Sequence, residues 1–310
     1  MKIGKKGTSR RSPRRRKDIF IYALMLLPGC IYLIINNYLP MFGILIAFKK
    51  VNFSLGVFDS PWVGLQNFEF LFASKDAYII IRNTICYNLA WIVLGTVGAI
   101  IIAILMVEIA EKKIAKILQP VICFPNVISA VILAYLVFAF LSPANGFINN
   151  TLLGGKTIRW YSEAKYWPVI LTITYLWKNL GYLSIVYMAA IAGIDKSLFE
   201  AAKLDGASKM QQIRLITLPM IKNTIIFMTL FAIGRIMSSD FGLFYQVPMN
   251  SGMLFPTTQT LDTYVYRALM DIKDVGMSSA ASVFQSITGF FLVVGANLAV
   301  RKVSRESALF

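Results

Sequence analysis

Residues 195–219 read DKSLFEAAKLDGASKMQQIRLITLP, and they lie between two apolar blocks, each long enough to cross a bilayer as helix. The stretch itself spells helix, turn, helix. Ser197 and Glu200 have the S-x-x-E spacing of a capping box, which predicts a helix starting at Ser197. Asp205-Gly206 ends that helix, because Gly206 can take the left-handed conformation that closes a helix C-terminus. A second short helix is expected through Met210 and Ile213, and Pro219 then opens the next apolar block, where a missing N–H costs nothing. A polar connection between two spans needs only a few residues to reverse direction. This one runs over 193–222 and devotes that length to a capped, ordered structure, the signature of a docking element.

Outward from this loop the chain is membrane protein. It has 310 residues, 57% hydrophobic and 15% charged, with a mean hydropathy of +0.65, whereas soluble domains carry about 25% charged residues. The apolar residues come in blocks that predict helices at about 19–47, 79–108, 117–141, 167–192, 223–243 and 278–300. The fold class expected is therefore an all-α membrane protein of six transmembrane helices. It divides into a basic arm over 1–17 and a transmembrane domain over 18–310. The first block continues through Tyr38 and Leu39 without a small-residue cleavage site, so it reads as an uncleaved span. Pro28, Pro40, Pro125 and Pro168 fall within or at the ends of spans, where neighbouring groups can satisfy the freed carbonyls.

The net charge of +16 does not describe a nucleic-acid face. With the N-terminus placed in the cytoplasm, 20 of the 31 Lys and Arg fall in the inner segments 1–17, 109–116, 193–222 and 301–310. That excess predicts both termini in the cytoplasm of a cell with an inner or plasma membrane. Tyr38, Trp62, Trp160, Tyr161 and Trp167 then gather near the outer ends, as interfacial anchors do. Cys30, Cys86 and Cys123 sit in apolar stretches and read as small buried hydrophobes. The chain has no histidine, so no zinc or haem site is expected, and no nucleophile–base pair points to an enzyme.

The loop resembles the EAA loop of binding-protein-dependent ABC permeases, whose pattern is E-A-A-x-x-D-G-A followed by I-x-L-P. Glu200, Ala201, Ala202, Asp205, Gly206 and Ala207 match it, then Ile216, Leu218 and Pro219. Ile213 stands where that family commonly has an aromatic, and Asn223 where it commonly has a second proline. FGILIAFKKVNFSLGVFDSPWVGLQNFEFLF (42–72) and LSPANGFIN (141–149) resemble the sugar-permease branch named after a lipoprotein-linked polysaccharide transporter. The resemblance implies a type I ABC importer fold in which the loop, with Ser197 at its start, is a coupling helix seated in a cleft of a separate ATPase. It implies two copies of that cytoplasmic ATPase, a second permease subunit (a heterodimer is usual), an extracytoplasmic solute-binding protein and a carbohydrate substrate, most often an oligosaccharide. ATP and Mg would belong to the ATPase, and no cofactor is expected in this chain. Gly155-Lys156-Thr157 looks like the tail of a phosphate loop, but Asn150 stands where that motif requires glycine. For Glu200 a capping role and a coupling role both stay open.

Two polar groups interrupt the apolar spans. Trp177, Lys178, Asn179 and Tyr182 lie in the fourth, and a lipid-facing Lys178 would cost about 2.5–3.5 kcal/mol, so an inward role is favoured. In the resemblance to maltose permeases, Trp177 and Tyr182 match a W-x-x-x-x-Y stretch that lines the sugar site. On an ideal helix those two residues are about 140° apart, so they share a cavity only if the helix is locally broken, as Gly181 could allow, or the cavity is wide. Asn179 and Tyr182 are about 60° apart and share a face. Arg235, Ser238, Ser239 and Asp240 form the second group, with an Arg235–Asp240 pair possible and a Lys178–Asp240 pair as its rival. Both groups are expected on a substrate path, and a polar interface between helices of two subunits is the alternative. A permease for a non-sugar solute and an ion-coupled secondary transporter also stay open. The latter would show inverted repeats, and none is found.

Overall fold

Two of the six apolar blocks do not form single straight helices. The structure, a computed structural model, describes residues 13–69, 75–109, 113–154 and 156–303. Residues 1–12 of the basic arm, Gly155 and residues 304–310 lie outside the described residues.

Helix α1 begins as Pro13–Leu33 and continues through π and 3-10 turns, so that the apolar span runs Ile19–Phe48. Helix α2 is Lys75–Ile109. The third block is a bent pair, α3 (Lys113–Val127) and α4 (Ala130–Leu141), turned by 96°. Helix α5, Trp167–Ala192, has the bounds expected of the fourth span. The cytoplasmic loop forms α6 (Lys196–Leu204) and α7 (Lys209–Met220). A 59° bend at Ile221 separates α7 from α8, Lys222–Gly234. Two short helices, α9 (Phe241–Gln246) and α10 (Leu261–Arg267), precede the last span, α11 (Val275–Val303).

Two sequence expectations are corrected here. The third block is not one helix over 117–141. Pro125 has no N–H to give the preceding turn, and Ser129 leaves helical geometry to cap α4 by accepting from the Ile132 N–H. Likewise the fifth helix does not reach 243. It stops at Gly234, and residues 235–240 are irregular backbone. Such backbone is tolerated at membrane depth only where protein covers it or where it lines a cavity.

The segment 244–277, expected as an outer loop, is also more than that. Phe244, Val247, Leu254 and Leu261 within it are all buried. Its backbone is pinned to α2: Asn83 donates to the Pro256 and Gln259 carbonyls, and Thr84 Oγ1 accepts from the Leu261 N–H. Trp167, read as an interfacial anchor, is instead fully buried, with its ring N–H on the Trp160 carbonyl at 2.7 Å. Cys30 and Cys86 are exposed on their helices rather than buried, while Cys123 is half-buried.

The central pairing is α2 against α5. Gly95, Ala99 and Ala103 recur every fourth residue on α2, with Ala99 and Ala103 fully buried. Small residues at this spacing let two membrane helices approach closely, and packing rather than water exclusion holds such helices together. Higher up, Trp91 of α2 lies flat on Tyr175 of α5, centroids 3.9 Å apart, and Phe244 completes the aromatic core. By contrast, residues 19–42 of α1 are exposed all round within this chain.

Candidate functional site

The cytoplasmic loop is built from two capping devices in series. Asp195, not Ser197, is the N-cap of α6: its side chain accepts from the Ser197 N–H at 2.9 Å, and the helix starts at Lys196. The predicted Ser197–Glu200 capping box is therefore corrected. Asp and Ser are equally good caps, and Asp195 takes the extended backbone a cap requires. The backbone N–H bonded to it holds the Asp195 carboxyl below the ordinary Asp range.

At the other end of α6, Gly206 has φ +78°. Its N–H donates to the Lys203 carbonyl and the Ala207 N–H to the Ala202 carbonyl, at 3.1 and 2.8 Å. These are the two bonds of a Schellman motif. Asp205 is the C-cap, donating to the Ala201 carbonyl at 3.0 Å. Immediately afterwards Ser208 and Gln211 make a reciprocal capping box that starts α7. The turn is thus fully bonded.

Phe199 anchors the loop to the apolar cluster of Ala99, Ala103, Tyr187, Ile191 and Ile221. Lys209 on α7 meets Glu108, one residue from the end of α2, at 2.5 Å. Among its exposed polar side chains the loop holds two large apolar ones out: Leu204 is 90% exposed and Met210 70%. Glu200 is exposed too, one helical turn from Leu204. Ala201 is exposed, and Ala202 and Ala207 are half-buried.

The second constellation lies where α8 stops. Lys178 of α5 pairs with Asp240 at 3.8 Å, as one of the two sequence alternatives had it, and the Arg235–Asp240 pair does not form. The other Asp240 oxygen caps α9 through the Leu243 N–H at 3.0 Å. Asn179 donates to the Tyr175 carbonyl and accepts from Asn126, next to the bend of the third block. Arg235, the residue after α8, is exposed. Tyr175 lies within electrostatic range of both Arg235 and Asp240.

Ser238 and Ser239 serve the break itself. The Ser238 carbonyl accepts from Asn88 at 3.1 Å, and its hydroxyl accepts from Gln285 at 3.2 Å. Asp262 accepts from the Ser239 N–H and hydroxyl at 2.5 and 2.7 Å, and from Gln285 at 3.2 Å. The irregular strand is therefore stitched to α2, α10 and α11. Sequence reading missed Asp262, since it fell in a presumed outer loop. It also passed over Asn88 and Gln285, single amides inside apolar helices, which are the signal that could have found them.

Alanine at Asp262 should take an acceptor from the Ser239 N–H, the Ser239 hydroxyl and Gln285 and destabilise the protein by about 1.5–3 kcal/mol, on the scale of hydrogen bonds to a charged group. Thermal unfolding of purified protein measures this. A loss under about 0.5 kcal/mol, the size of an ordinary surface change, would remove Asp262 from this role.

The break that would turn Trp177 toward Tyr182 is absent. Helix α5 is continuous through Gly181, so the two aromatics, 45% and 59% exposed, keep their separate faces. Gly181 is buried against α3, where a Cβ would land on the Ile122 carbonyl. It permits close approach and does not break the helix.

Apolar helices in this arrangement, with a rigid capped loop on one side, define a multi-pass membrane protein with the fold of a type I ABC importer permease. A family profile described as binding-protein-dependent transport system inner membrane component matches residues 95–305, and this chain belongs to that family. It is 33% identical over 285 residues to the polygalacturonan/rhamnogalacturonan transport system permease protein YteP of Bacillus subtilis (strain 168), covering 91% of this chain and 88% of that one. It is 31% identical over 293 residues to protein LplB of the same organism, covering 94% and 91%. The crystal structure of a bacterial alginate ABC transporter in complex with alginate pentasaccharide-bound periplasmic protein matches with a TM-score of 0.84. That match has 30% identity and covers 96% of this chain and 99% of that chain.

Proposed function

We propose that this chain is the permease subunit of an ATP-driven importer of carbohydrate, in particular oligosaccharide, delivered by an extracytoplasmic solute-binding protein. The observation that carries the reading is the loop over 195–219. It is rigidly capped, tied to α2 through Glu108–Lys209, and presents Leu204 and Met210 to water. Large apolar side chains held in water by a rigid element favour a protein partner. A cytoplasmic ABC ATPase, in two copies with ATP and Mg, fits that place, and Ser197, Glu200, Ala201, Ala202, Asp205, Gly206 and Ala207 form or flank the contact. The carbohydrate assignment is supported by relatives named for polysaccharide transport at 30% identity and above. A second permease subunit would complete the path and cover part of α1, whose residues 19–42 have no cover within this chain.

Proteoliposomes carrying the complete importer test this reading. With binding protein outside and ATP-Mg inside, labelled oligosaccharide should accumulate, and an imposed ion gradient without ATP should drive none. Gradient-driven accumulation would turn the assignment to a secondary transporter. Both termini are proposed to be cytoplasmic, on the strength of 20 of 31 basic residues in the inner segments. Cysteine placed at Ser9 or Ser307 should resist an impermeant thiol reagent in intact cells, and labelling at either position would overturn the six-span model.

A further inference from the structure

We propose that a cleft between the loop over 49–69 and the start of α11 holds a phospholipid, its phosphate taken by Lys50 and Lys273. The proposal goes beyond the transport reading and depends only on the membrane spans already described.

The two spans that wall the cleft fix its depth. The apolar span Ile19–Phe48 ends at one wall, and Lys49, Lys50 and Phe53 follow it there. Helix α11 begins at the other, with Lys273 and Asp274 just before Val275. A cleft of about 560 Å³ between two span ends lies at the level of lipid headgroups, the extracytoplasmic ones in the proposed topology.

Its walls are held by named bonds. Asn67 donates to the Ala47 and Lys49 carbonyls at 2.9 and 3.0 Å, and the Val63 N–H donates to the Phe48 carbonyl at 2.9 Å. Lys49 is buried, donates to the Val57 and Phe58 carbonyls, and lies 5.0 Å from the centre of the Trp62 ring. On the α11 side, a Cβ at Gly276 would come within 2.8 Å of the Asn67 amide nitrogen, so loop and helix are in close contact.

Charge selects the ligand. Three cations, Lys49, Lys50 and Lys273, stand against two acids, Glu69 and Asp274, which leaves the lining positive. Asp274 is engaged by α11, where its carboxylate accepts from the Met277 N–H at 2.9 Å. Lys50 and Lys273 are exposed and lie outside ion-pair distance of every acid among the described residues. Two such ammonium groups in one cleft suit a phosphate, which lysine meets as a point charge. Basic pockets between membrane helices hold lipid headgroups in this way.

The apolar rim decides where that phosphate comes from. Phe53, Phe58, Trp62 and Leu65 of the same loop are all exposed, the two phenylalanines at 77%. Aromatic side chains at headgroup level enter the interfacial layer. A free phosphate ion makes no contact with such a rim, whereas the glycerol and upper acyl chains of a phospholipid cover it.

Trp62 reports on the cleft. Its emission is the difference between the parental importer and Trp62→Phe, read in nanodiscs of digalactosyldiacylglycerol, whose headgroup is uncharged. A minor share of lipid brominated on its acyl chains is introduced, either phosphatidylglycerol or the galactolipid with the same chains. Quenching then gives the relative affinity of each lipid for the neighbourhood of Trp62. Phosphatidylglycerol should be preferred about tenfold, the scale of one charge-assisted contact. Lys50→Gln with Lys273→Gln should bring the preference close to one, and Lys50→Arg with Lys273→Arg should keep it. If the double glutamine variant does not assemble, an unchanged preference in Lys50→Gln alone overturns the proposal. Equal quenching by the two lipids in the parental importer overturns it, as does an unchanged preference in the double variant. Inorganic phosphate added to the buffer should leave the preference in place; its loss would assign the cleft to the free ion. Absence of quenching by either lipid also overturns the proposal, and a change in Trp62 emission on adding the solute-binding protein would then give the surface to that partner.

Discussion

Alanine at Gly181 is expected to leave almost no folded protein. Gly181 sits mid-way along α5 with its Cα against the backbone of α3, and the nearest atoms to an added Cβ are the carbonyl oxygen and carbon of Ile122 and the amide nitrogen of Cys123. A side chain can rotate away from a new methyl group; a backbone carbonyl inside a helix cannot. Nor can α3 retreat easily. Pro120 and Pro125 fix its local dihedrals, and the Asn126–Asn179 bond, 3.1 Å, holds the same two helices together alongside. Overpacking of a well-filled core costs about 1–3 kcal/mol when side chains give way, so a backbone clash belongs at or above the top of that range. Gly95→Ala is the matched control. It lies on α2 and faces the same helix α5, but its Cβ would meet only Leu183 Cδ1 at an ordinary 3.6 Å, and alanine gains up to about 1 kcal/mol of helix propensity over glycine. The two variants, compared by yield of monodisperse protein and by thermal unfolding, should differ widely. Similar behaviour would mean that α3 and α5 do not pack as described.

Gly181 also marks the boundary of what the sequence discloses. Membership of a membrane class, the number of apolar blocks and the bounds of α5 follow from hydropathy alone, because twenty apolar residues have few other uses. The docking loop was legible for a different reason: local caps and turns depend on neighbours in sequence, and Asp205-Gly206 carries its conformation with it. Even so the first cap was misplaced by two residues, since Asp195 and Ser197 compete on nearly equal terms, and the Ser208–Gln211 box went unread.

Bends were harder. A hydropathy window counts apolar residues and is blind to direction, so the 96° turn after Val127 and the stop at Gly234 are hidden in it, although Pro125 and Ser129 stand at the first and Arg235 at the second. A glycine in a helix means either a break or a close approach, and only the partner helix decides which. The pairing of Asp262 with Ser239 across 23 residues is tertiary and has no local trace. For the candidate path, the Lys178–Asp240 pair was one of two pairings the sequence allowed, while α5 has no break at Gly181 to bring Trp177 round to Tyr182.

Valine at Gly206 should sharply reduce transport while leaving the protein folded in the membrane. The expectation follows from where the strain would fall. No atom lies within 4 Å of a Cβ built on Gly206, so the cost is not steric contact but the φ of +78°. For a β-branched residue that left-handed geometry costs about 1–2 kcal/mol. The membrane helices are not involved, and the first to yield is the turn. Releasing φ breaks the bonds from Gly206 to Lys203 and from Ala207 to Ala202, and with them the angle between α6 and α7. Leu204 and Met210 then no longer face a partner together, and the Glu108–Lys209 link carries motion from a loop without fixed shape. Gly206→Asn separates conformation from mere bulk, because asparagine tolerates the left-handed region while valine does not. Uptake by reconstituted importer should therefore fall by at least about tenfold with valine, equivalent to about 1.4 kcal/mol of coupling, and recover substantially with asparagine. The unfolding temperature should stay close to the parental value in both. Parental transport by a correctly assembled Gly206→Val protein would mean that the turn is a structural cap with no part in coupling.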